Sequence, residues 1–171
     1  MARQLIVGAT GGIKVLANGN EIPNVTSVSL PEIEVKGEEV SGAGILGSFT
    51  MPTPGQFGAM TTSVSVRVAG ANKKYLIAPT VNLEIRVAAN MRASDGSLIV
   101  SGTRMYVTGH PSKIANGSAE VSKTRDESID YATVRYREVV DGEETLLIDQ
   151  IAGVYKVGGA DMLAGYRSAL G

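Results

Sequence analysis

Residues 81–92 constrain the fold more than any other stretch. Val81, Leu83, Ile85, Val87, Ala89 and Met91 alternate with Asn82, Glu84, Arg86, Ala88, Asn90 and Arg92. A helix would scatter those apolar side chains around its circumference, whereas a strand puts all six on one face. Ser94-Asp95-Gly96-Ser97 then turns the chain, and Leu98 to Thr108 returns as a second long strand; an Asp-Gly pair between two such runs is a hairpin signal. A second hairpin is predicted from Ile129 to Val140, through the turn Asp141-Gly142-Glu143-Glu144, and back along Thr145 to Val157. A twelve-residue strand runs ~40 Å at ~3.3 Å per residue. The radius of gyration of a compact chain of this size is only ~15–16 Å, so these hairpins cross the full width of the domain and project beyond it.

The remaining segments read as shorter strands. Residues 13–18 and 25–30 flank the turn-forming Asn18-Gly19-Asn20-Glu21-Ile22-Pro23. Pro31 interrupts the second of these, implying an edge position or a bulge. Thr62, Val64, Val66 and Val68 alternate with polar residues as a half-buried strand, and residues 69–78 supply one short helix or turn. Residues 109–128 are polar and turn-rich and read as a loop. The ending GGADMLAGYRSALG reads as a short helix, with Asp161 near its start and Arg167 in its last turn, as the helix dipole prefers. The expected architecture is a mainly β single domain over 1–171: an antiparallel β-sandwich or flattened barrel with one or two short helices.

Glu39 to Met60 (EVSGAGILGSFTMPTPGQFGAM) fits this pattern poorly. Five glycines and two prolines favour turns and extended backbone, so the stretch of about 39–60 reads as a long loop. It nevertheless carries Ile45, Leu46, Phe49, Met51 and Phe57, including both phenylalanines of the chain. Long loops in compact domains are functional or disordered, and apolar content with little charge argues against disorder. One reading is a loop folded back on its own core. The favoured one is an apolar arm buried in another subunit, because the other strands look self-sufficient.

Composition excludes several classes. With a formal net charge of −1 and no basic block, there is no electrostatic footprint for nucleic acid or acidic membrane. No cysteine is present, so neither a disulfide frame nor thiolate chemistry is available. No apolar run approaches the ~20 residues that span a bilayer, and MARQLIVGATGGI has too little apolar length for a signal-peptide core. The expectation is a soluble protein made in a cytoplasm, without stable membrane insertion.

Candidate chemistry is sparse. Gly8-Ala9-Thr10-Gly11-Gly12-Ile13 looks like the opening of a dinucleotide-binding motif, but Lys14 stands where the last glycine is needed and no βαβ alternation follows. Residues 1–12 read instead as an N-terminal arm. His110, the only histidine, precedes Pro111 in a predicted loop and forms no metal-ligand pair. Glu32, Glu34, Glu38 and Glu39 make a dense acidic patch, which a solvated strand face explains without catalysis. Asn24-Val25-Thr26 and Asn116-Gly117-Ser118 match the glycosylation pattern, which has no meaning without secretion. No catalytic residue, cofactor site or metal site is predicted. A monomeric β-sandwich adhesin or carbohydrate-binding module is the alternative class; the absence of tryptophan and the 5% aromatic content count against it.

Three segments in order resemble the major tail tube proteins of contractile phage tails and phage-tail-like bacteriocins. The first is Asn24 to Gly47, NVTSVSLPEIEVKGEEVSGAGILG, similar to that family's strand ending in Leu-Pro, followed by a charged stretch and a small-residue turn. The second is the 129–149 hairpin, with Val140-Asp141-Gly142-Glu143 and Leu147-Ile148-Asp149. The third runs from Gly159-Ala160-Asp161-Met162-Leu163 through Tyr166-Arg167 to Leu170-Gly171, with Ala160 where the family's ending carries valine.

The resemblance implies a protomer that forms hexameric rings stacked into a hollow tube. Long hairpins would close a barrel across the subunits around the lumen. A sheath would enclose the tube between baseplate and tail-terminator proteins, in a phage tail or a released bacteriocin particle, with DNA passing through the lumen without specific binding. In that setting Ile45, Leu46, Phe49, Met51 and Phe57 are the candidate contacts between rings. Asn82, Glu84, Arg86 and Asn90 are the lumen-facing candidates.

Overall fold

The computed structural model describes residues 5–67 and 70–171, with side chains from Val7 onward. Twelve strands account for most of the described residues. They are β1 (Leu5–Ala17), β2 (Asn20–Ile22), β3 (Val25–Ser29), β4 (Val35–Ser41), β5 (Ser48–Phe57), β6 (Met60–Arg67), β7 (Val81–Ala93), β8 (Leu98–Ala115), β9 (Asp126–Val140), β10 (Glu143–Asp149), β11 (Val154–Val157) and β12 (Ala160–Asp161). A 3-10 turn, Gly70–Asn72, leads into α1 (Lys73–Leu76), and α2 (Ala164–Leu170) ends the chain. Ten strands form one antiparallel sheet in the order β12-β11-β10-β9-β8-β7-β1-β2, with β3 and β6 branching from β9. The first half of β9 pairs with β6 and its second half with β10, while β8 runs along the other edge. The sheet therefore splits at β9 and rolls β6 and β3 back towards β1, giving the flattened barrel expected of a mainly β chain.

The alternation in β7 sets the core. Val81, Leu83 and Ile85 are buried, and they meet Val15 and Ala17 of β1, Met105 and Val107 of β8, Ile129 and Tyr131 of β9 and Val64 and Val66 of β6. Leu76 of α1 is buried in the same cluster, so even a one-turn helix is fixed by a side chain with no exposed area.

Turn chemistry holds the register. Asn18 and Gly19 both have positive φ (49° and 81°), as do Asp141 and Gly142 (48° and 92°), so each hairpin closes through a two-residue turn whose twist suits the strands. The β9–β10 turn is therefore tighter than the four residues expected, and Val140 pairs directly with Glu143. The Asp141 carboxylate accepts from the Gly102 backbone N–H at 3.0 Å and from the Ser101 hydroxyl, tying this turn to β8.

Two expectations give way to longer strands, and one expected strand is divided. The loop expected at 109–128 shrinks to 116–125, because β8 continues to Ala115 and β9 begins at Asp126. Pro111 sits in β8 beside a register shift, and a second shift falls at Gly109; bulges let a strand absorb a proline. A Cβ on Gly109 would lie 2.5 Å from the Ala132 carbonyl oxygen, so only glycine permits that approach. His110 thus lies in a strand opposite Ala132, not in a loop. Residues 5–12, expected as an arm, pair with β7 through two bulges, while residues 1–4 lie outside the described residues. Thr145 to Val157, expected as one strand, is divided into β10 and β11 by a turn at 150–153.

Candidate assembly surfaces

The stretch expected as a long loop is a hairpin. Residues 35–41 and 48–57 form a two-stranded sheet that pairs with no other strand among the described residues. The prolines explain why: Pro52 and Pro54 cannot donate to a further strand, which restricts β5 to an edge. Gly37 lies where a Cβ would be 2.8 Å from the Met51 carbonyl oxygen, allowing β4 to cross β5 closely at a register shift.

Directly opposed residues share a face. Val40 opposes Phe49 and Glu38 opposes Met51, while Glu39 opposes Thr50 and Ser41 opposes Ser48. One face is consequently apolar apart from Glu38, and the other is polar. Phe49 and Met51 are 46% and 54% exposed, and at the tip Ile45 is exposed and Leu46 entirely so. This arm is amphipathic, yet among the described residues its apolar face has nothing to cover it.

Its root is firmly held. Phe57 meets Tyr155 edge to face with ring centroids 5.0 Å apart and packs against the core. The Gly58 N–H donates to the Glu34 carbonyl oxygen at 2.9 Å, and the Gln150 side-chain amide donates to the Gly58 carbonyl oxygen at 3.2 Å. Leu163 covers Gly55. Of the five residues expected as contacts between subunits, Phe57 therefore separates from the rest. The register shift between Gly37 and Val35 loops out residues 53–56 and turns its ring into its own protomer.

The second surface is the face of the main sheet directed away from the core. Asn82, Glu84, Arg86 and Asn90 all lie on it, as the alternation in β7 requires. The register adds Thr108, Tyr106 and Arg104 from β8, then Arg135 and Arg137 from β9. Arg86 Nε is 2.7 Å from Glu84 Oε1, Lys14 Nζ is 2.6 Å from Glu21 and Arg137 Nε is 2.6 Å from Glu144. The Glu84 hydrogen bond, followed by its charge, holds the Arg86 guanidinium above its ordinary pKa. Arg137 lies over the Tyr106 ring at 5.5 Å, and the Thr108 hydroxyl donates to Asn82 Oδ1 at 2.9 Å. The four candidates from β7 are thus one column of a wider polar, mixed-charge face. Sequence reading missed Arg104, Tyr106, Arg135 and Arg137, although the alternation of β8 places Arg104, Tyr106 and Thr108 together. Shallow grooves of about 350 and 440 Å³ cross this face.

Among the described residues no cluster of three or more His, Cys, Asp or Glu side chains could hold a metal ion, and no helix is long and apolar enough to cross a membrane. Two surfaces thus stand out: a sheet with one polar face left bare, and an apolar arm that the described residues do not cover. Residues 11–171 match the family described as phage tail tube protein FII, and the chain belongs to that family. No curated protein matches the sequence.

The fold is similar to that of a chain in the extended-state sheath–tube complex of PVC, an extracellular contractile injection system. The TM-score is 0.53 at 16% identity, covering 74% of this chain and 87% of that one. A chain in the PVC sheath/tube terminator structure is similar at a TM-score of 0.53 and 16% identity, covering 75% of this chain and 94% of that one. The fold of this tail tube protein is therefore shared with chains of an extracellular contractile injection system.

Proposed function

We propose that the chain is the structural subunit of the hollow inner tube of a contractile tail, whether of a phage or of a headless tail-like particle. Six copies form a ring, and rings stack head to tail through the arm of residues 35–57. The polar face bearing Asn82, Glu84, Arg86 and Asn90 lines the lumen. The function is mechanical: a sheath around the tube shortens and drives it through the target envelope, with a baseplate below and a terminator above. Production in a bacterial cytoplasm and passage of DNA without specific binding belong to the same reading.

The observation that carries it is the amphipathic arm. A hairpin with Val40, Phe49 and Met51 on one bare face is a poor solitary element, since two strands alone are marginal in water. Its docking on another copy is a heterologous contact, and such contacts propagate into filaments when they do not close. Family membership over residues 11–171 and the kinship of fold with chains from a sheath–tube complex support the contractile setting. Negative-stain electron microscopy of the concentrated protein, beside size-exclusion chromatography, tests the proposal. Hollow filaments of uniform width are expected, nucleated where necessary by preformed baseplates. A clean monomer that stays a monomer even with baseplates would overturn it.

A further inference from the structure

The proposed stacking needs a receptor for the arm, and the core-side face of the main sheet supplies one. That face does not stop where the core stops. Beyond Ile85 and Met105, its apolar rows continue outwards across three strands. Ile13 of β1 opposes Val87 of β7, which opposes Thr103 of β8; farther out, Val7 opposes Met91, which opposes Ile99. Ala89 lies between these rows on the same face. Residues 85 to 91 carry this extension ~20 Å past the core, at ~3.3 Å per residue. Within the protomer, the layer of β3, β6 and α1 covers the inner half of the sheet through Val64, Val66 and Leu76. In the outer rows Val7 is 66% exposed, Ile13 42% and Ile99 38%. The sheet therefore has a flap with its second layer missing.

We infer that the arm of another copy is that second layer: the face formed by Val40, Phe49 and Met51 lies on the Val7–Met91–Ile99 and Ile13–Val87 rows of the next subunit. The inference rests on the tube reading above. Two observations select this occupant. First, the arm and the flap are both apolar sheet faces left bare by their own chain, and two sheets normally pack face to face across such surfaces. Second, their lengths agree, with seven residues in β4 and seven in the projecting part of β7, 87–93. The flap continues the protomer core, so seating the arm there joins successive cores into one apolar layer while the opposite face of the same strands stays polar.

The absence of cysteine from the chain permits a direct test by disulfide trapping. Chains carrying Phe49→Cys are mixed with chains carrying Met91→Cys, assembled and oxidised. The expected product on a non-reducing gel is a covalent dimer that neither variant forms alone. Both substitutions in one chain should give a ladder of multimers, because a head-to-tail contact propagates. Val7→Cys, in the same row as Met91, serves as the receptor position if Met91→Cys impairs assembly. Phe49→Cys with Glu84→Cys, on the opposite face of β7, should not cross-link. Tubes that form normally but link position 49 to position 84, or to neither flap position, would overturn the inference and leave the tube reading standing. Dimers from Phe49→Cys alone would replace it with arm-to-arm contact. Failure of the unmodified protein to assemble, even on baseplates, would overturn both readings.

Discussion

The Tyr131 hydroxyl donates to the Leu76 carbonyl oxygen at 2.9 Å inside the core, and that bond satisfies the last carbonyl of α1. Burial pushes the Tyr131 phenol well above its ordinary pKa. Tyr136 rises for the same reason first, and then through its hydrogen bond to Glu138. A phenol is neutral when protonated, so a folded pKa above the unfolded value of ~10 gives stability that is fully present below pH ~10. It is lost as pH rises from there through the folded pKa. The melting temperature should therefore hold at neutral and mildly alkaline pH and fall above pH ~10. Tyr131→Phe should cost about 1–2 kcal/mol at neutral pH, since the buried Leu76 carbonyl loses its donor, while making the alkaline fall shallower. Thermal denaturation from pH 7 to 11 checks both effects; an equally steep fall in the variant would remove Tyr131 as a cause.

At the scale of elements, a buried carboxylate fixes the helical turn. Glu127 of β9 is 2% exposed and lies 2.9 Å from Lys73 Nζ and 2.7 Å from Arg125 Nη2. Lys73 also donates to Asn116 Oδ1 at 2.5 Å, so a single cation ties α1 to the start of β9 and to the preceding loop. Breaking a buried ion pair costs ~3–5 kcal/mol, but Lys73 and Arg125 both reach water here. Glu127→Ala should therefore destabilise by about 2 kcal/mol and speed amide exchange in residues 70–76; unchanged exchange there would show that Leu76 alone holds the turn.

The strand pattern was legible wherever one face is buried, because period two then carries the signal. It succeeded for β7, and for the Asp-Gly turns that end its hairpin and that of β9. It also contained Glu127, on the same face as Ile129, Tyr131 and Thr133, but a glutamate inside an apolar row reads as the end of a strand. The arm was misread for a different reason. Away from Gly55 and Phe57 at the root, neither face of β4 and β5 is covered by the described residues, so no burial pattern marks them, and glycine with proline speaks for loop. Phe57 was grouped with Phe49 on composition, whereas a register shift, which no composition reports, turns it inwards.

At the scale of the whole molecule, the two surfaces predict separable behaviour. Phe49→Asp puts a charge on an exposed arm residue, so protomer stability should change by no more than ~0.5 kcal/mol. Tube formation should nevertheless be lost, because an unpaired carboxylate would have to be buried in the contact. Equal melting temperatures with no filaments is the expected pair of results; normal filaments would remove Phe49 from the contact.

The lumen assignment calls for a different probe, since its residues are polar and a charge there need not block assembly. Asn90 is exposed on the bare face, and in a chain without native cysteine Asn90→Cys is a unique label. In free protomers both a small maleimide and a bulky polymer-linked maleimide should react. In long tubes the small reagent can diffuse along the bore while the bulky one is held at the ends, so the ratio of their rates should rise steeply on assembly. Were the polar face on the outside, the bulky reagent would label tubes as readily as protomers, and the arm and flap would have to close the ring with the sheet turned over. The same assay on Met91→Cys tubes gives the counterpart: a position buried beneath the neighbouring arm should become slow to both reagents. The three sites of reaction — solvent, bore and contact — are thus read from one chemistry.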